Sequence, residues 1–273
     1  MTAEEDALFG LAYVPPDETV SYGPHPGQVV DFHLPAAPTG VRVTLLHGGF
    51  WREAYDRRHL APLAAALAAR GVEVALAEYR RVGTGPGGGG GWPRTLDDVI
   101  RAAGVRLRPG RPSRHVLAGH SAGGHLALCA ATGHVPPAGV DAVVAVAPVA
   151  DLARARELRL SGGAVDDFLG GGHHPEADPV LRGPARVPVT VLHGTADADV
   201  PAALSRSYAA AAARHPGADV TLRILPGVGH YAPVTPGTPA CGALLKALGA
   251  GDPVGGPAGD PSGARRGRRS PSP

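Results

Sequence analysis

Short apolar runs alternate with Ala/Leu-rich amphipathic stretches along most of this chain. Residues 27–34, 41–46 and 72–78 read as strands, and 57–70 as an amphipathic helix that ends before Gly71. A helix then starts at Thr95, the expected cap, and runs to Ala103 with Asp97 and Asp98 in its first turn. Arg114–Ala118 reads as a buried strand, Gly124–Ala131 as a helix, and 140–147 as a further buried strand. Val189–Leu192 and Val220–Ile224 complete the strands. A Pro-started helix follows the first of these, and a last helix carries Cys241. This alternation predicts an α/β protein: one domain over residues 1–250, with a mostly parallel twisted sheet and helices on both faces. Two stretches break the pattern. Gly83–Gly91 reads as a flexible surface connection, with a mobile lip over a pocket as the alternative. Asp151–Val187 is too long for a simple connection and reads as an insertion. Residues 251–273 are Gly/Pro/Ser/Arg-rich without periodicity and read as a disordered basic tail.

Candidate chemistry concentrates where strands end. Gly119-His120-Ser121-Ala122-Gly123 fits G-x-S-x-G between a strand and a helix. A serine on so tight a turn stands clear of the sheet at the positive end of a helix, and side chains at the flanking glycines would collide with neighbouring backbone. Upstream, His47-Gly48-Gly49-Phe50-Trp51 leaves the strand-like Val41–Leu46. N–H groups of that loop (Gly48, Gly49 and Phe50), with that of Ala122, form a candidate oxyanion hole; such donors each contribute about 3–4 kcal/mol. Downstream, His193-Gly194-Thr195-Ala196-Asp197-Ala198-Asp199-Val200-Pro201 places two acids after a strand. The spacing favours Asp197 as the acid that orients a histidine, and Asp199 as the cap of the next helix. His230 lies in the Gly-rich loop Leu225–Tyr231, just past a strand. His120 and His125 flank the serine, where packing or supporting hydrogen bonds are their expected roles.

The order Ser121, Asp197, His230 is that of α/β-hydrolases. Tyr22–Pro35 is similar to the first strands of small bacterial carboxylesterases. His47-Gly48-Gly49-Phe50-Trp51 resembles the loop of kynurenine formamidases (arylformamidases) and feruloyl-esterase-like relatives, and Gly119–Leu126 matches the same group. The resemblance runs from about Tyr22 to Leu248. It implies an α/β-hydrolase fold of the esterase/lipase superfamily, with a small cap at about 151–187. It also implies a serine hydrolase that cleaves small esters or aryl formamides through an acyl-enzyme, without metal or organic cofactor. Ser121, Asp197 and His230 would carry the reaction, and Trp51, Phe168, Leu169 and Tyr231 would line the acyl or leaving-group pocket; for Phe168 and Leu169 the competing reading is that they only anchor the cap to the core. One departure stands out: relatives carry a longer helix before the elbow strand, where Gly104–Pro112 is short and Arg/Pro-rich.

Composition narrows the alternatives. The formal net charge is only +2, less than the tail arginines 265, 266, 268 and 269 supply, so no nucleic-acid surface is expected on the body. Lys246 is the sole lysine, a sign of coding bias more than of function. Two cysteines make no disulfide framework, and His173-His174 with Asp166, Asp167, Glu176 and Asp178 lacks metal-site spacing. No run is long and apolar enough for a membrane span. The acidic start Met1–Asp6 is unlike a signal peptide, which leads to the expectation of a cytoplasmic protein. The expected partner is a small ester or amide; the oligomeric state stays open, a homodimer included. Three other readings compete: a prolyl-oligopeptidase-like exopeptidase, a long-chain lipase, and a non-catalytic binding protein. The first usually carries a large extra N-terminal domain. The second predicts a strongly apolar cap, and the third a missing site residue.

Overall fold

The computed structural model describes residues 2–132, 137 and 139–251. Its centre is an eight-stranded sheet: β1 (Glu18–Ser21), β2 (Val29–His33), β3 (Val41–Leu46), β4 (Glu73–Ala77), β5 (Arg114–His120), β6 (Ala142–Val146), β7 (Val189–Gly194) and β8 (Val220–Leu225). The spatial order is β1-β2-β4-β3-β5-β6-β7-β8. β1 and β2 pair antiparallel at one edge, and β2 meets β4 antiparallel; the remaining pairs are parallel. The central strands are buried on both sides, which is why they read as continuous apolar runs rather than alternating ones.

Eight α-helices are described: α1 (Ala3–Phe9), α2 (Ala61–Ala68), α3 (Arg94–Gly104), α4 (Ala122–Ala131), α5 (Leu152–Glu157), α6 (Ala164–Leu169), α7 (Ala203–Ala212) and α8 (Pro239–Leu248). Leu8, Leu63, Leu67, Leu244 and Leu248 put α1, α2 and α8 on one face. Val99, Leu126, Phe168, Leu204 and Tyr208 put α3, α4, α6 and α7 on the other. Every residue of α4 is buried, so the elbow helix is the inner pillar of that second layer.

Register sets where the chemistry emerges. Leu46 at the end of β3 lies opposite Gly119 of β5, so the loop after β3 and the serine turn leave the sheet side by side. Gly194 of β7 lies opposite Leu225 of β8, which does the same for the Asp197 and His230 loops. All four leave at the carboxyl ends of parallel strands, where open α/β sheets form their clefts.

Four local readings change. α1 and β1 were not legible. Thr95 does not cap α3; Pro93 holds that position, and Thr95 Oγ1 accepts the Gly91 N–H and donates to the Arg80 carbonyl. Asp199 does not cap α7, whose first turn has no side-chain cap. The glycine stretch 83–91 is not a loose connection. Glu53 accepts the N–H groups of Gly85 (2.8 Å) and Gly87 (2.9 Å), and Arg81 and Gly90 close it with backbone bonds of 2.8–2.9 Å. The short Arg/Pro stretch after Gly104 leaves α3 with 11 residues. The expected tail falls on residues 252–273, outside the described residues.

Candidate active site

Ser121 sits on the turn between β5 and α4 at φ 56°, ψ −117°, a conformation that non-glycine residues adopt only under constraint. The constraint is visible. Ser121 N–H donates to the Val146 carbonyl (2.8 Å). A Cβ at Gly119 would collide with the Gly123 backbone, and one at Gly123 with the carbonyls of Leu46 and His47. The chain crosses itself here at backbone-to-backbone distance, and only glycine fits. Ser121 is 1% exposed and its Oγ has no hydrogen-bond partner. It lines a cavity of about 410 Å³ together with His230.

Asp197 and His230 meet as the strand register requires: His230 Nδ1 lies 2.6 Å from Asp197 Oδ2. The acid is heavily held. Its Oδ1 accepts the N–H groups of Asp199 (3.0 Å) and Val200 (2.8 Å), and its Oδ2 also lies 3.2 Å from His193 Nε2. Burial raises the Asp197 carboxyl, but hydrogen bonds from His193 and His230 outweigh it and hold the group well below the usual carboxylate range. His193 is fixed in turn by Ser205 Oγ at 2.6 Å and the Val200 carbonyl at 2.8 Å. Asp197 therefore stays an anion and fixes the His230 ring, while Asp199 faces the cavity and approaches the Tyr231 hydroxyl.

The loop after β3 is locked from below. His47 Nδ1 lies 2.8 Å from the Gly48 carbonyl and Nε2 lies 2.8 Å from Glu78 Oε1. The Tyr79 ring stacks on His47 at 4.3 Å, and its hydroxyl donates to the His47 carbonyl (2.7 Å). Burial raises Glu78, but the facing His47 and Arg81 outweigh it and bring the carboxyl down to about 2. In a trans peptide the N–H points opposite to the carbonyl. Drawing the Gly48 carbonyl to His47 therefore turns the Gly49 N–H away from it. The N–H groups of Gly49, Phe50 and Ala122 have no acceptor among the described residues. Gly48 lies against Ser121, since a Cβ there would fall 3.1 Å from the serine Cβ.

His120 donates from Nε2 to the His230 carbonyl (3.0 Å). Burial, with His230 nearby, drives its imidazole far below the ordinary range, so it stays neutral. His125 Nε2 lies 2.8 Å from the Ala177 carbonyl. His125 supports its neighbours away from the cavity, whereas His120 lines the cavity but spends its one donor on the His230 carbonyl.

Three expected pocket residues are not on the pocket. Trp51 and Phe168 are 0% exposed and stack at 4.4 Å, with His125 edge-on to both rings; Leu169 packs in the same core. The trio anchors the 151–187 segment to the sheet, because apolar surface gains more from full burial than from lining a wet cleft. Tyr231 and Phe50 do line the cavity. The remaining wall was not foreseen: Glu5 and Phe9 of α1, Tyr55, His59, and Leu158–Ser161 of the insertion. The Thr2-x-x-Glu5 pattern, a capping box in the structure, was the one sequence signal for α1. Among the described residues no group of three or more His, Cys, Asp or Glu could hold a metal, and no helix is long and apolar enough to cross a membrane.

Sheet order, elbow and loop positions together define an α/β-hydrolase fold. The chain belongs to the prolyl oligopeptidase family, which it matches over residues 94–237, a stretch that includes Ser121, Asp197 and His230. Over 122 residues it is 31% identical to a probable isoprenylcysteine alpha-carbonyl methylesterase of Oryza sativa subsp. japonica; the match takes in 41% of this chain and 26% of that protein. Solved structures share the fold. A truncated carbohydrate esterase from gut microbiota aligns with TM-score 0.70 and 19% identity, over 87% of this chain and 96% of its own. Esterase B of Lactobacillus rhamnosis, solved with a tributyrin phosphonate, aligns with TM-score 0.73 and 18% identity, over 91% and 90%. Esterase 2 of Thermogutta terrifontis, phosphonylated by sarin, aligns with TM-score 0.64 and 22% identity, over 85% and 91%.

Proposed function

We propose that this protein is a serine hydrolase of small carboxylic esters or aryl formamides that works through an acyl-enzyme. The observation that carries this reading is an unpartnered Ser121 Oγ on a strained elbow, sharing one cavity with a His230 whose far nitrogen is bound to a buried, ionised Asp197.

His230 takes the proton of Ser121 Oγ as the oxygen attacks the substrate carbonyl. Asp197 keeps Nδ1 protonated, which leaves Nε2 as the base, and stabilises the imidazolium that forms. The N–H groups of Ala122, Gly49 and Phe50 receive the oxyanion. Its collapse expels an alcohol or amine, protonated by His230. Water activated by the same ring then releases the acid. A cavity of about 410 Å³ walled by Phe9, Phe50, Tyr55 and Tyr231 suits a short acyl or aryl group better than a long chain. The similarity to a methylesterase and to several esterases supports ester chemistry.

Family membership favours a second reading, an aminoacyl or peptidyl hydrolase at the same serine. Turnover of p-nitrophenyl acetate, N-formylkynurenine and an aminoacyl p-nitroanilide, with Ser121→Ala as the blank, separates the two. The expected outcome is turnover of acetate or formamide, and loss of at least about a thousandfold of kcat in Ser121→Ala with folding intact. Anilide turnover alone would establish the peptidase reading. Undiminished turnover by Ser121→Ala would refute both.

A further inference from the structure

We infer that Glu4, on the first helix of the chain, is a positioning residue for His230; this rests on the hydrolase reading above. The Glu4 carboxylate reaches across to the His230 loop and takes three backbone N–H groups. Oε1 accepts from Gly229 (2.9 Å), and Oε2 accepts from Tyr231 and from Ala232 (3.1 Å each). These donors bracket His230 on both sides. The His230 carbonyl is held from the opposite direction by His120 Nε2 at 3.0 Å. The backbone that carries the imidazole is thus fixed by four hydrogen bonds, three of them charge-assisted and delivered by a single side chain.

The loop needs such a fixture. From Pro226 to Tyr231 it has no regular structure, and Gly227 turns through φ 70°. Apart from the His230 ring itself, its hydrogen bonds to the Asp197 loop are made by the main chain of Gly227 and Val228, not by that of His230. Without Glu4 three partly buried N–H groups lose their acceptor, and the ring loses a fixed pivot between Asp197 and Ser121. The clamp itself has a rigid base. Thr2 and Glu5 cap α1 reciprocally, Leu8 is 1% exposed in the core, and Phe9 meets the Tyr231 ring edge-on at 6.0 Å. The fit leaves no slack at Gly229, where a Cβ would stand 2.5 Å from Glu4 Oε2. Glu4 touches neither substrate nor reacting atoms; it acts through the loop.

The test compares full-length Glu4→Ala, Glu4→Gln, Gly229→Ala and the Glu4→Ala/Gly229→Ala double variant. Three quantities are measured: kcat and KM on p-nitrophenyl acetate, the rate of Ser121 labelling by a fluorophosphonate, and the downfield proton NMR signal of the His230 Nδ1–H. Glu4→Ala is expected to lower kcat and the labelling rate about 10- to 100-fold, the usual cost of displacing a catalytic group by about an ångström. KM should stay within about twofold, because Glu4 is not in the pocket. Glu4→Gln keeps an oxygen for Tyr231 and Ala232 but turns an amino group on Gly229, so it should fall between. Gly229→Ala should mimic Glu4→Ala in the native background and add nothing to it in the double variant, the signature of one shared interaction. Should Glu4→Ala fail to fold, Gly229→Ala decides alone. Unchanged kcat in the single variants, or an undiminished cost of Gly229→Ala in the Glu4→Ala background, would overturn the inference. Should the native protein neither turn over ester nor label at Ser121, the hydrolase reading is what fails. The His230 proton signal still judges Glu4: its loss in Glu4→Ala upholds the clamp, and its persistence refutes it.

Discussion

The floor and the walls of the cavity are built on different physics. The floor comprises Ser121, the loop after β3 and the Asp197–His230 pair. It is made where backbones pass within contact of one another, so each position tolerates one or two residue types. The walls comprise α1, Tyr55, His59 and Leu158–Ser161, whose side chains lean over the opening from separate elements and are partly solvent-exposed. A structure of the first kind fixes which chemistry is possible. One of the second kind selects the molecule on which it is done, and can change without disturbing the floor.

Replacing the acid tests the floor most severely. Asp197→Asn is expected to lower kcat by about 10⁴-fold by giving His230 the wrong tautomer, with the fold kept. Asp199→Ala, which alters only a wall, should be far milder; steady-state kinetics on p-nitrophenyl acetate checks both. Trp51→Ala sharpens the boundary between wall and core: as a buried anchor it should cost about 3–5 kcal/mol in denaturant unfolding. Tyr231→Ala, at the cavity, should raise KM with a much smaller loss of stability.

Acid should cost stability at the buried histidines before it reaches the Asp197 carboxylate. Burial lowers His115 and His125 to about 4, from the 6.5 of an exposed imidazole. Between those values the unfolded chain binds protons that the native chain refuses, so their contribution to stability is complete above about pH 6.5 and lost as pH falls towards 4. A plot of Tm against pH should therefore slope downward on the acid side, and less so in His125→Gln. Asp197 has the opposite placement, with a lowered carboxyl, so its contribution is complete above the ordinary carboxylate range and fails only at stronger acidity. The smallest effect on stability is expected from Ser121→Gly. It is expected to abolish activity, yet it relieves a positive φ and should raise stability by about 1 kcal/mol in thermal unfolding.

Legibility in the sequence follows the same division. The parallel sheet was readable because its strands are apolar on both faces. Ser121, Asp197, His230 and the His47–Phe50 loop were singled out because close backbone approach demands glycines in a fixed frame. Trp51 was misplaced, and Phe168 and Leu169 stood between two readings, because an apolar side chain beside an elbow satisfies either a core or a pocket pattern, and spacing does not distinguish them. Thr95 and Asp199 carry cap chemistry, yet Pro93 and Ala202 hold the cap positions of α3 and α7. Glu4, Phe9 and His59 were invisible for another reason. Their roles depend on contacts with residues far away in the chain, over 220 positions for Glu4 and the His230 loop.

Arg52, one residue beyond the loop after β3, donates to the Ser161 carbonyl (2.6 Å) and to Asp167 Oδ2 (3.3 Å), both in the segment that overhangs the serine. The ion pair is open to solvent, with side chains 37% and 54% exposed. Dissolved ions screen an exposed pair of this kind, while the buried aromatic anchor beneath it is indifferent to them. The overhang is thus held by a buried apolar contact on one side and an exposed ionic one on the other, and added salt would weaken the ionic hold alone.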